Sequence, residues 1–416
     1  MRGSCTMRIM TRVLAAAIML VLGLAMAAAR LSSAAEWTIS IEPIASPAAP
    51  YTAQPRLTAS SHGVILSWLE TSGRESVLKF AERTPGGWST PRRIASGDFF
   101  ANWADVPSVI RLADRTLVGH WLQVNGTDSE AYDLRLAWSH DDGGTWSPSF
   151  TPHHDGTKSE HGFGSLFEMP GGGLGLVWLD GRAMKPSREP GGDATGDMSL
   201  RFAAFDARWK QLAEDAIDVR VCECCPTAAA VTSEGPIVAY RDRGADELRN
   251  INVSRLVSGK WSRPAPVHND GWRIEGCPVN GPALGAQGRE VAIAWFTAPR
   301  DQGHAFVAFS HDAGRTFGAP VRVDDAGSLG RVDVEQLPDG SAVAAWIELA
   351  NQRADFKVRR VEPSGQRSPA VTVAAITANR NSGYPRIARR GNELLFAWID
   401  SKDGSPRVQT ASAKLP

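Results

Sequence analysis

Four cysteines stand in two short segments, Cys222-Glu223-Cys224-Cys225-Pro226 and Gly276-Cys277-Pro278. Thiols at that density have three uses. Oxidised, they pair as disulfides. As thiolates they ligate soft or borderline ions such as Cu or Zn. With a depressed pKa they carry redox chemistry. Every pairing of the four into two bridges puts one bridge inside residues 222–225, and Cys222–Cys225 with Cys224–Cys277 strains the backbone least. His153, His154 and His161 are the imidazoles able to join a metal site at Cys222, Cys224, Cys225 and Cys277. No other cofactor is called for.

The elements that must position these groups form a repeat. Seven segments end an apolar run on a large aromatic: Trp68, Trp121, Trp178, Tyr240, Trp295, Trp346 and Trp398, spaced 53, 57, 62, 55, 51 and 52 residues apart. A recurrence at that period marks a supersecondary unit that buries its face on its neighbours. Third strands follow at Ser76–Glu82, Leu134–Ser139, Leu200–Phe205, Asn250–Leu256 and Ala305–Ser310, and fourth strands open near Trp88, Trp146, Trp209, Trp261 and Phe317. Four antiparallel strands per unit make a propeller blade. The chain is thus expected to be an all-β propeller of seven blades. The last unit lacks its fourth strand, and Trp37–Pro43 at the other end is expected to supply it and close the ring.

Two turns carry a specific signature. Ser139-His140-Asp141-Asp142-Gly143-Gly144-Thr145-Trp146 and Ser310-His311-Asp312-Ala313-Gly314-Arg315-Thr316-Phe317 both read S-x-D-x-G-x-T-W/F. The Asp is suited to accept backbone N–H bonds within the turn, the Gly to take a positive φ, and the aromatic to pack beneath. On these residues the chain resembles the Asp-box (BNR) repeat proteins of the sialidase-like superfamily, over about residues 36–412. The resemblance implies a propeller in which the boxes are structural staples. That family's sialidases have six blades, whereas seven aromatics are counted here.

Strand one of each blade is innermost, and its start shares a face of the ring with the end of strand two. By register, Gln54, Val106, Phe163, Cys225, Cys277, Arg331 and Tyr384 are equivalent, with Arg56 and Arg386 two residues further on. This face is the expected working face, and the insertion 181–197 is expected to overhang it as a lid. The acids after the strand-two aromatics, Glu70, Asp180, Asp242, Glu348 and Asp400, also lie on this face; their repetition suggests scaffold that accepts neighbouring N–H groups, with contact to a ligand as the other reading.

The sialidases resembled here hold a sugar carboxylate with three arginines, attack with a Tyr paired to a Glu, and use an Asp as acid/base. Planar guanidinium forks suit a carboxylate. The resemblance assigns Arg56, Arg386 and either Arg241 or Arg249 to that clamp, Tyr384 to the nucleophile and Asp105 to the acid. The family writes F/Y-R-I-P where this chain writes Gln54-Pro55-Arg56-Leu57, and no Glu partner for Tyr384 stands out. The implied activity is that of an exo-glycosidase or a binder of a glycan or small anionic ligand; the alternative is a non-catalytic propeller with a cysteine-cluster metal or redox site or a partner-binding face.

Arg2, Arg8 and Arg12, the apolar run Val13–Ala29 and Ser33-Ala34-Ala35 read as an export signal at residues 1–35, with a single domain over 36–416 in the periplasm or outside the cell. A retained anchor is the other reading of the same run. Four of the 45 basic residues and none of the 45 acidic ones lie in residues 1–35, which leaves a net charge of −4 on the remainder. That mixed, weakly acidic balance gives no basis for nucleic-acid binding. No second membrane span is present, and the oligomeric state is not encoded in any pattern.

Overall fold

A computed structural model describes residues 37–416 except 74, 129, 186–194 and 402–403. The expected leader and the middle of the expected lid lie outside the described residues. The chain divides into units 1–38 and 39–416, and every strand of the description belongs to the second. No described helix is long and apolar enough to cross a membrane.

The aromatic-tipped runs are strand two of seven antiparallel sheets. Each is covered on both sides by neighbouring blades, so it reads as a continuous apolar run rather than an alternating one. Leu174–Asp180, for example, is buried at every position. Trp68, Trp178, Trp295, Trp346 and Tyr240 are fully buried between blades, Trp121 nearly so. Trp398 alone of the seven is only half-buried.

The innermost strands are Thr52–Ser60, Ser108–Arg111, His161–Glu168, Ala228–Thr232, Ala283–Gln287, Ser328–Gln336 and Arg386–Arg390. Just before or within four of them the chain takes a sharp bend. Gln54, Phe163 and Arg331 sit at φ of 56°, 53° and 53°, and each lies in a β-bulge of its ladder. The register that made these three residues equivalent therefore corresponds to one shared backbone device, which re-aims the strand as it enters the channel. In blade five the device falls on Val279, two residues after Cys277, so Cys277 lies in the approach to its strand rather than at its start.

The ring closes as a composite blade. Glu42, Pro43 and Ile44 pair with Ser412, Ala411 and Thr410. The closing strand is thus shorter and later than Trp37–Pro43. Pro43 has no N–H to give, which suits an outermost strand and keeps the ladder short. Side chains extend the seam, with Thr410 Oγ1 donating to the Ile44 carbonyl at 3.0 Å and Arg407 Nε to the Ala48 carbonyl at 2.9 Å. In blade two the fourth strand is reduced to one bridge, Leu136 to Phe150.

The two S-x-D-x-G turns are built alike. Asp141 Oδ1 accepts the Thr145 amide at 2.8 Å and Asp312 Oδ1 the Thr316 amide at 2.9 Å. The Thr145 amide and the Ser139 and Thr145 hydroxyls hold the Asp141 carboxyl down at about 2. Gly143 and Gly314 take φ of 85° and 79°. Trp146 meets Phe80 edge to face at 6.2 Å. His140 and His311 are exposed.

Candidate functional site

Past these starts, the inner strands bring charged side chains to the channel. Blade one contributes Arg56, blade seven Arg386 and blade six Asp333 and Glu335. Arg56 and Arg386 line a narrow cavity of about 20 Å³ together with Asp105, Phe163, Ser165 and Thr227. Burial, then the neighbouring Arg56, push the Arg386 guanidinium down to about 9, and burial lowers Arg56 as well. Asp333 is the acid that faces both, yet it stands beyond ion-pair distance. Its oxygens accept the Val334 and Ile387 amides, each at 3.0 Å. Arg386 leans over the Tyr384 ring at 5.1 Å, and its buried Nε has no hydrogen-bond partner among the described residues. Two cations thus share a low-dielectric wall with Asp333 nearby but no anion within ion-pair distance among the described residues, an arrangement that costs free energy until a ligand anion arrives.

The other residues of the expected clamp stand differently. Arg241 is fully buried and donates to three backbone carbonyls, of Asn280 at 2.8 Å, Arg249 at 2.7 Å and Phe296 at 2.6 Å, with Trp272 stacked on it at 5.0 Å. It ties blade four to blade five. Arg249 pairs with Glu247 at 2.6 Å. Tyr384 is buried, stacks on Trp103 at 5.9 Å and donates its hydroxyl to the Val279 carbonyl at 2.7 Å. Burial raises its pKa, with Cys225 adding to the rise.

Asp105 accepts the Phe163 amide at 2.8 Å, while its other oxygen is buried without a hydrogen-bond partner among the described residues. Burial lifts its carboxyl to about 7. Asn280 makes the same kind of bond three blades further on, to the Arg331 amide at 2.7 Å, so the position serves to hold the next blade's bend. Beside Asp105 the Tyr132 hydroxyl donates to Glu160 at 2.6 Å, and burial raises Glu160 to about 8. This phenol–carboxylate pair was not anticipated. Nor were Asp333 and Glu335, although the same two-residue step that located Arg56 and Arg386 leads from Arg331 to Asp333.

The strand-two acids accept indole N–H groups as well as backbone ones. Trp178 Nε1 donates to Asp180 at 2.8 Å and Trp346 Nε1 to Glu348 at 2.6 Å. Glu348 also takes the Asp325 and Ala326 amides, the role expected from their recurrence.

The cysteines do meet. Cys224 and Cys277 form a disulfide with Cα atoms 6.0 Å apart. Cys222 and Cys225 are free, buried and 3.0 Å apart at sulfur. Among the described residues His153 and His161 form a group of their own with Asp133 rather than joining the cysteines, and His154 turns outward to Gln211 at 2.8 Å. With Cys224 and Cys277 bridged, two thiols remain for any Cu or Zn at the cluster.

A larger cavity of about 1050 Å³ opens on the opposite face, lined by turns such as Ser60–Ser61, Gly171–Gly172 and Ser233–Pro236. Its charged Arg111 is already paired with Glu82 and Asp142 at 2.6 Å each. Size favours that funnel, but the unpaired buried charge lies at the strand-start face, and charge is what selects a polar ligand.

No family model matches the chain, and no curated protein matches it. Among solved structures it is similar to a protein of unknown function from Dyadobacter fermentans DSM 18053, 14% identical over 92% of this chain and 99% of that one, with a TM-score of 0.53. The polysaccharide lyase Uly1 is 9% identical over 86% of this chain and 89% of that one, with a TM-score of 0.54. The K499G mutant of the NanB sialidase from Streptococcus pneumoniae is 8% identical over 85% of this chain and 83% of that one, at a TM-score of 0.47. At such identities the likeness is one of fold, and the fold is the propeller.

Proposed function

We propose that this propeller binds an anionic, sugar-like ligand through a carboxylate held between Arg56 and Arg386 at the strand-start face. The observation that carries this reading is the buried Arg386 guanidinium beside half-buried Arg56, neither with an ion-pair partner among the described residues and Arg386 with its Nε left without an acceptor there. A carboxylate offers two oxygens to two forks and offsets the burial and the Arg56 repulsion that lower Arg386. The cavity between them is close to the size of one water, so only the charged group enters and the rest of the ligand lies on the mouth. If the bound sugar is also cleaved, Asp105 is the group poised near neutrality to move a proton, and an exo-glycosidase of the sialidase kind is the activity to test. The disulfide and the basic-apolar leader support action in the periplasm or outside the cell.

Calorimetric titration with N-acetylneuraminate and glucuronate against their methyl esters tests the reading. Binding should require the free carboxylate and fall at least tenfold in Arg56→Ala and in Arg386→Ala. Equal affinity for acid and ester would refute it. A fluorogenic sialoside cleaved equally by wild type and Arg56→Ala would remove Arg56 from any catalytic role.

A further inference from the structure

The cysteine cluster holds two pairs of sulfurs at different depths. Cys222 and Cys225 are free and each 1% exposed. Cys277 is exposed and Cys224 partly so, which makes the bridge between them the outer pair. The two pairs meet through Cys222. Its Sγ lies 3.0 Å from Cys225 Sγ and 3.9 Å from Cys224 Sγ. The sulfurs of Cys222, Cys224 and Cys225 all lie within 4.8 Å of one another, and Cys277 is not part of that group. Cys277 is thus the outward end of the bridge, and Cys224 is the end that the buried thiols face.

Exchange between thiols and disulfides needs a thiolate beside a disulfide sulfur. The inner pair is unequal in this respect. Burial, and then its contact with Cys225, raise the Cys222 thiol. Burial acts on Cys225 in the same sense. The hydrogen bond from Cys222, the Arg241 charge, the Asn280 amide and the Arg249 charge outweigh it, and Cys225 falls below the ordinary thiol value. Arg241 is held in place by its three carbonyl acceptors, so its charge stays beside the pair. Cys225 is the sulfur that carries negative charge, and Cys222 is the thiol that donates to it. This is a base next to a nucleophile, with a disulfide sulfur on the nucleophile's other side. Neither sulfur can meet a bulky partner directly, because both are buried.

We infer that the four cysteines form a thiol–disulfide relay, in which the buried Cys222–Cys225 dithiol passes two electrons through Cys224 to the exposed bridge and on to a small-molecule disulfide outside the protein. Cys222 gives its proton to the Cys225 thiolate and attacks the Cys224 sulfur. The Cys222–Cys224 bond forms, the Cys224–Cys277 bond breaks, and Cys277 leaves as a thiolate. A Cys222–Cys224 bond spans a single residue and is strained, so it does not accumulate. Cys225 passes its proton through solvent to Cys277 and attacks Cys222. The Cys222–Cys225 bond forms and Cys224 leaves as a thiolate. To this point the inner pair has been oxidised, the outer pair reduced, and no reagent consumed. The Cys224 thiolate then attacks the external disulfide and releases one thiolate, which takes the Cys277 proton. Cys277 displaces the second, and the outer bridge is restored. The relay is independent of the arginine pair and of any carboxylate bound there.

The test uses the full chain with Cys5→Ser, reduced and then mixed with excess glutathione disulfide. Acid quenching stops exchange by protonating thiolates, and alkylation of the denatured samples followed by peptide mapping gives the rate at which the Cys222–Cys225 bridge forms. A second chain carries Cys224→Ser and Cys277→Ser as well, so the inner pair stands without its outlet. Its inner bridge should form at least about tenfold more slowly. Loss of the outer bridge loosens the segment and by itself would speed direct access, so slowing reports the relay. Circular dichroism checks that the second chain is folded. A measurement on the parent alone covers the case in which it is not. Parent chains that the quenched map shows to hold the outer bridge and the inner dithiol are treated, while native, with iodoacetamide. Label should appear on Cys277, with Cys222 and Cys225 joined. The inference fails if the parent's inner thiols persist under excess oxidant, or if the folded second chain closes its inner bridge at the parent's rate. It fails equally if native alkylation labels Cys222 and Cys225, or labels nothing until the chain is denatured.

Discussion

At the scale of single residues, burial decides which charged groups bind and which only brace. Arg241 has no shortage of partners, and its three carbonyl acceptors belong to the seam between blades four and five. Arg241→Met should therefore destabilise by at least about 3 kcal/mol by leaving buried carbonyls without donors, measured by urea denaturation, with carboxylate binding at Arg56 unchanged in the folded fraction. Unaltered stability would place Arg241 in the ligand site instead. Tyr384→Phe keeps the stack on Trp103 and loses the bond to the Val279 carbonyl, a cost of about 1 kcal/mol. Glu335 gives a pH signature. Burial and the neighbouring Asp333 push its carboxyl from the ordinary 4.5 up to about 8. Between those values the folded chain keeps a proton that the unfolded chain releases, so its contribution to stability falls as pH rises from about 4.5 to 8. Glu335→Gln should melt higher than wild type at pH 8.5 and level with it at pH 4. A gain of equal size at both values would show that the proton is not the cause.

At the scale of elements, turn geometry and the cysteine segment carry the testable content. Gly314 sits at φ 79°, and a Cβ there would meet Ile237 Cδ1 at 2.1 Å. Gly314→Ala should cost about 1–3 kcal/mol through backbone strain and overpacking, read as a drop in the urea midpoint. A neutral result would mean the box is not a staple. In residues 222–225 the free sulfurs of Cys222 and Cys225, 3.0 Å apart, are placed to close a second bridge. With glutathione disulfide as oxidant, the two thiols give up two protons and two electrons, and two glutathione thiols form. A Cys5→Ser chain treated this way and then denatured should show no reactive thiol, and two after partial reduction. Two thiols persisting under excess oxidant would make the pair a stable dithiol, and would favour the reading in which it holds a metal.

At the scale of the whole molecule, the ring is held shut at two places. One is the short seam of Glu42–Ile44 on the last blade. Removing residues through Ile44 exposes the edge of Arg407–Lys414, an invitation to pairing between chains. The truncated protein should melt lower and form larger species in size-exclusion chromatography; a monomer of unchanged stability would show that the composite blade is dispensable. The other is the Cys224–Cys277 bridge, which closes a span of 53 residues between blades four and five. Chain entropy assigns such a loop about 4 kcal/mol, so Cys277→Ser should lose a stability increment of that order, and reductant should do the same to wild type but nothing further to the variant.

The recurrence of an aromatic at the end of a buried strand was enough to count the blades, because every blade must bury the same central strand against its neighbours. The bend positions were legible for a related reason. A bulge that turns the strand into the channel recurs in blades one, three and six; Arg56 follows it by two residues, and Arg386 follows the register-equivalent Tyr384 by the same step. The sequence also showed that the last blade lacked a strand and where it would come from, though not that Pro43 would shorten the ladder to three pairs. Three matters belonged to the tertiary structure alone. Whether an arginine is free depends on carbonyls from distant segments, which is why Arg241 and Arg56 look alike in the chain and differ in the fold. Tyr132 with Glu160, and His153 with His161 and Asp133, meet only because blades two and three pack side by side, and no spacing announces a contact made across blades. The cysteines fell between these cases. Their nearness was plain from residues 222–225, but their pairing with Cys277 followed from the approach segments of two inner strands lying within disulfide reach.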